Sequence, residues 1–176
     1  MISAVPPIAA MIGADSQRIQ TLFAAAVADW RAAGVKVVGV IEETSGLSDR
    51  SCSAGILRDI VSGKPFPIYL EVAPSHTSCR LDATGVNDAA AGVLRQVRAV
   101  DLVVLSKFGK LEAMRSGLVD AFEAAIAAGK PVLTTVSDKH RDAWRAFAPD
   151  AICLPADKTA LQAWWSDLGG SSHAAA

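Results

Sequence analysis

Hydrophobic positions recur along the chain with two different periods. Ile8 to Ile12 is a short apolar run that ends at Gly13, the pattern of a strand buried on both faces. Ile19, Leu22, Phe23, Ala26, Val27 and Trp30 then follow at helical spacing and predict a helix with one buried side. Asp15 or Ser16 is placed to cap its start and Gly34 to stop it. Val35 to Ile41 is apolar and β-branched and predicts a second buried strand. Strand, helix and strand with short connections predict a parallel pair with a right-handed crossover.

The middle of the chain breaks this rhythm. Residues 42–53 are polar and rich in Ser and Gly and read as a loop. Gly55 to Val61 and Phe66 to Val72 read as two strands joined by Ser62-Gly63-Lys64-Pro65, an antiparallel hairpin inserted at about residues 54–73. Ala73 to Arg80 is a further loop. Helical spacing returns with Val86, Ala90, Val93, Leu94 and Val97. Asp101 to Leu105 is the most strand-like run and leads into the polar loop Ser106-Lys107-Phe108-Gly109-Lys110. Leu111, Met114, Leu118, Phe122, Ala125 and Ile126 predict one helix closed by Gly129. Pro131 to Val136 reads as a strand, 138–147 as a helix, 151–154 as a strand and 157–168 as a last helix. In that helix, Trp164 and Trp165 are expected to divide, one ring in the core and the other at the edge or at an oligomer contact. The prediction is an α/β fold of three layers, with a mainly parallel sheet of about five strands and a hairpin insertion. Residues 1–168 are expected to form one domain, with 169–176 as a flexible tail.

Composition narrows the functional classes. A chain of 176 residues that is 51% hydrophobic and 20% charged is not mainly disordered. Its net charge of −1 argues against a nucleic-acid partner, a local basic patch aside. With 6% aromatic residues, Ala and Val must do most of the packing. No apolar run reaches the roughly 20 residues of a membrane span, and no Lys or Arg precedes the first apolar stretch as in a signal peptide. Three cysteines at irregular spacing, Cys52, Cys79 and Cys153, form no disulfide framework, so a reducing cytoplasm is the simpler location.

Ligands of open α/β sheets bind beyond the carboxyl ends of the strands. Two such ends carry informative residues: Gly13-Ala14-Asp15-Ser16, and Ser106 through Glu112. A helix N-terminus at such an edge suits an anion. Lys107, Lys110, Arg115 and Arg80 are candidates to supply positive charge, with Asp82 beside Arg80. Each has a plainer reading. The lysines can be a solvated loop, Asp15 and Ser16 helix caps, Glu112 a first-turn acid bridged to Arg115, and Arg80 with Asp82 a local ion pair. His76 and Cys79, with Cys52 in the preceding loop, have spacing compatible with a zinc site whose fourth ligand is water. Cys79 beside Arg80 is also a candidate thiolate nucleophile.

Three segments carry a family resemblance: Cys79-Arg80-Leu81-Asp82, Asp101 through Glu112, and Ala128-Gly129-Lys130-Pro131-Val132-Leu133. On these, the chain resembles the bacterial family catalogued as domain of unknown function 2478. The order of elements is also similar to small P-loop nucleotide phosphatases of the THEP1 type, and the resemblance implies a P-loop NTPase-like fold. A working phosphate loop reads G-x-x-x-x-G-K-[ST]. Gly13-Ala14-Asp15-Ser16-Gln17-Arg18 has one Gly and no Lys-Ser/Thr pair. Ser106 and Lys107 stand where those phosphatases carry Asp-Glu, so the metal-holding and water-orienting carboxylates are both replaced. Little or no NTP hydrolysis is therefore expected, and Mg²⁺ is not expected to be required. The leading expectation is a protein that binds a nucleotide or oxyanion at a degenerate phosphate loop. The resemblance also implies a neighbourhood of molybdate handling. The alternatives are a zinc- or thiol-dependent enzyme or sensor on Cys52, His76 and Cys79, and a non-catalytic scaffold with a protein or self-association partner.

Overall fold

The computed structural model describes residues 7–43, 55–68 and 82–169. In chain order these form β1 (Ile8–Ile12), α1 (Ser16–Ala32), β2 (Val37–Glu43), β3 (Ile56–Asp59), β4 (Pro65–Pro67) and α2 (Ala83–Leu94). Then come β5 (Leu102–Phe108), α3 (Lys110–Ala113), α4 (Val119–Ala127), β6 (Val132–Val136), α5 (Arg141–Phe147), β7 (Ile152–Pro155) and α6 (Lys158–Asp167). Single 3₁₀ turns lie at Val97–Ala99 and Asp138–His140.

The strands form one sheet in the order β4-β3-β2-β5-β6-β1-β7. The run β2-β5-β6-β1-β7 is parallel throughout. The hairpin β3–β4 adds antiparallel strands outside β2, with Val40 opposite Asp59 and Glu43 opposite Ile56. The sheet is therefore mixed and seven-stranded, not a mainly parallel sheet of about five strands. The physical reason is the outer edge of β2. Its unpaired N–H and C=O groups are a template for another strand, and the hairpin takes it.

Alternate residues of the strands feed two cores. Ala10, Val38, Val40, Val103 and Leu105 face α2, α4 and α5 on one side, where Val93, Phe122 and Trp144 are buried. Ala9, Met11, Val37, Leu102 and Val104 face α1 and α6 on the other, with Phe23, Trp30 and Leu161. Both Trp164 and Trp165 are buried, at 4% and 8% exposure. The expected exposed ring is absent because Trp165 packs on Trp30, with centroids 5.5 Å apart.

Two local expectations are corrected and one open choice is resolved. Strand β2 runs on to Glu43, so Glu42 belongs to the sheet and not to a loop. Asp15, not Ser16, caps α1 by accepting the Arg18 N–H. The single helix expected across Leu111–Ile126 is two helices with a break at residues 114–118. In the break, Arg115 and Gly117 have φ of 62° and 65°. A Cβ on Gly117 would lie 2.4 Å from Glu112 Oε1, so glycine is required there. Among the described residues, no helix is long and apolar enough to cross a membrane.

Candidate binding edge

The connections of the parallel strands define a crevice. From β1 the chain crosses through α1, which packs on one face. From β2, β5 and β6 it crosses through helices on the other face. The neighbours β1 and β6 therefore lead off in opposite directions, and ligands of such sheets bind at the carboxyl ends beside that reversal. This edge brings together Gly13–Asp15 after β1, Glu42 near the end of β2, Ser106 and Lys107 in β5, and Ser137–His140 after β6.

Lys107 is the most unusual residue there. Strand β5 pairs Leu105 with Thr134 and Phe108 with Val136, so Ser106 and Lys107 together oppose Thr135. This is a β-bulge, a device that re-aims a side chain at a sheet rim. Lys107 has φ of 125°, a conformation that costs a non-glycine residue about 1–3 kcal/mol. The chain is held in it by Phe108, whose buried ring packs on Trp144 at 5.2 Å and Phe147 at 5.3 Å. The Lys107 side chain is about one-third exposed, and its Nζ lies 3.1 Å from Glu42 Oε2.

Glu42 follows Val38 and Val40 on the α2 side of the sheet and is 3% exposed. Among the described residues, neither of its carboxylate oxygens has a hydrogen bond of good geometry, nor has the buried hydroxyl of Ser106. Glu42, Ser106, Lys107, Lys110 and Glu112 line one cavity of about 40 Å³. Lys110 is exposed at the start of α3. His140 closes the edge on the β6 side, with Nδ1 2.9 Å from the Ser137 hydroxyl. Burial, then repulsion from Lys139 and Lys107, holds its imidazole below the usual histidine range. Glu43, exposed at the rim, is held below the usual carboxylate range by its bidentate pairing with Arg58.

The remaining expected residues divide. Gly13 turns the chain out of β1, and Ser16 opens α1. The carboxylates of Asp15 and Asp82 are helix caps, accepting from the N–H groups of Arg18 and Thr84. Glu112 does not bridge Arg115. It is buried, and its two oxygens accept the Gly109 and Leu118 N–H groups, each at 2.9 Å. Burial raises its pKa more than those N–H groups and Lys107 lower it. Arg115 is turned away from Lys107 and pairs with Glu123 at 2.6 Å, above the Phe147 ring. Arg80, Cys52, His76 and Cys79 lie outside the described residues, as do residues 170–176 of the expected tail. Cys153 is exposed on β7. Among the described residues, no group of three or more His, Cys, Asp or Glu side chains is arranged to hold a metal.

Reading the residues alone missed Glu42 and His140. For Glu42 a signal existed: it continues the alternation Val38, Val40 by one more step. Burial of a carboxylate there needs a partner from another strand, which no local pattern supplies. A larger cavity of about 480 Å³, bordered by Gln20, Val27 and Ile60 on the α1 side of the sheet, also reaches Glu42 and Glu43.

No solved structure matches the chain significantly. Among curated proteins, it is similar to the molybdenum import ATP-binding protein ModC 2 of Bradyrhizobium diazoefficiens, 34% identical over 164 residues. That alignment takes in 91% of this chain but 18% of the relative, so the chain spans less than a fifth of that protein's length. A family profile described as protein of unknown function, DUF2478, matches residues 8–164. On that span, and with a mixed α/β sheet of generally P-loop-like topology, the chain belongs to the DUF2478 family.

Proposed function

We propose that this protein binds a small anion, an oxyanion or the phosphate of a nucleotide, at the carboxyl edge of its sheet, without hydrolysing it. The observation that carries the reading is Lys107, an ammonium group set at the end of a central strand by a strained bulge. Lys110 adds a second positive charge at the mouth of the same cavity. The three residues Gly13, Ala14 and Asp15 that join β1 to α1 leave no room for a phosphate-wrapping loop, and the cap they end in is itself an anion. Ser106 stands at the end of β5 where hydrolysis would need a metal-holding carboxylate. Fixed lysines can supply the counter-charge that Mg²⁺ gives in working phosphate sites. The similarity to an ATP-binding molybdenum import protein makes molybdate and ATP the first probes.

Titration calorimetry with molybdate, sulfate, phosphate, ATP and GTP, each with and without Mg²⁺, tests this. At least one anion is expected to bind independently of Mg²⁺, and phosphate release from ATP should stay at background. Replacing Lys107 and Lys110 together by alanine should weaken binding about tenfold or more, with the fold retained by circular dichroism. Failure of all five to bind at millimolar concentration, or equal binding by the folded double variant, overturns the proposal.

A further inference from the structure

We infer that Glu42 is a tethered counter-anion that occupies Lys107 until a doubly charged ligand displaces it. The inference rests on the anion-binding reading and names the class of ligand: tetrahedral dianions in preference to monoanions.

The argument starts from burial. Glu42 is buried, at 3% exposure. A buried carboxylate needs a charge partner or hydrogen-bond donors. Among the described residues its charge partner is Lys107 Nζ at 3.1 Å, and both oxygens lack a well-formed hydrogen bond. The pairing is therefore electrostatic and loosely directed, and can be exchanged. An arriving monoanion offers Lys107 the same charge that Glu42 already provides at no cost of association. It gains little. A dianion doubles the attraction at the same distance and can displace the carboxylate.

The released carboxylate must then find a new partner. Ser106 supplies one. Its hydroxyl is buried at 2% exposure, has no hydrogen-bond partner among the described residues and lines the same small cavity as Glu42. A hydroxyl rotates freely about its C–O bond and donates to a carboxylate without backbone movement. Two otherwise unexplained orphan groups thus become one device. Glu42 rests on Lys107 when the edge is empty and on Ser106 when it is filled.

Sulfate and perchlorate test the charge selection, being tetrahedral anions that differ by one charge. Calorimetry on the wild-type chain should show sulfate binding at least tenfold tighter than perchlorate. Glu42→Gln should tighten both and reduce that ratio. Ser106→Ala should weaken sulfate, because the displaced carboxylate then has no donor. A ligand-free readout separates this inference from the reading it rests on. The Lys107 Nζ should react faster with an amine-acylating reagent in Glu42→Gln than in the wild type, measured by mass spectrometry of the modified peptide. If neither chain binds any anion but Lys107 becomes more reactive, the anion-binding reading falls, and the dianion selection falls with it. If the wild type binds sulfate and Glu42→Gln binds it no tighter, the tethered counter-anion is overturned while the anion site stands. Should Glu42→Gln melt well below the wild type, Glu42→Asp gives the same comparison: its shorter reach should also raise both Lys107 reactivity and sulfate affinity, and unchanged values overturn the inference.

Discussion

Glu112 shows how one residue can hold the edge without facing a ligand. It sits in a four-residue helix too short to be stable alone. Its carboxylate ties the start of that helix, at Gly109, to the start of the next, at Leu118. Glu112→Ala should leave both N–H groups unsatisfied and cost about 2–4 kcal/mol, read by urea unfolding. The same residue predicts a pH dependence. Burial raises its folded pKa above the ordinary 4.5. Between those two values the unfolded chain releases the proton while the folded chain keeps it, so stability falls as pH rises through that window. The difference between wild-type and Glu112→Gln stability, followed upward from pH 4.5, should carry this slope. A flat difference would show that burial does not govern this carboxyl.

At the scale of elements, close approach decides more than propensity does. Gly39 lies in the middle of β2 with φ of 132°, and a Cβ there would meet the Val104 carbonyl oxygen at 1.8 Å. No rotamer change relieves a clash with backbone. Gly39→Ala should therefore part β2 from β5 and cost more than about 4 kcal/mol; a thermal melt within a few degrees of the wild type would refute the close approach. The broken helix at residues 114–118 makes the opposite point. Leu111, Met114, Leu118 and Phe122 keep helical spacing across the break, so periodicity alone reads straight through it. Met114 is 66% exposed, and its apparent place on the stripe is an accident of spacing. The break is set by the turn at Arg115 and Gly117 and by a carboxylate that prefers two backbone donors to solvent.

For the whole molecule, the sheet ranks its own stability. Strands β5, β6 and β1 are paired on both edges and covered on both faces. Strand β4 has three residues and lies at the outer edge. Native-state hydrogen exchange should find the slowest amides in β5, β6 and β1 and the fastest sheet amides in β3 and β4; protection of the hairpin equal to the centre would contradict this order. The alternation of strand and helix, the hairpin and the two candidate strand ends were legible in the sequence, because apolar periodicity and turn residues are local signals. So was the cap Asp15, whose short side chain bonds backbone three residues away; Asp82, read as an ion-pair partner, proved to be a cap as well. The order of strands, the pairing of the hairpin with β2, the burial of both Trp164 and Trp165 and the meeting of Glu42 with Lys107 were decided by the tertiary structure. Glu42 and Lys107 are far apart in the chain, and only the parallel pairing of β2 with β5 brings them to one edge. Local composition sets which segments become elements. Which charges must share a buried site is settled when distant strands pair and water is excluded between them.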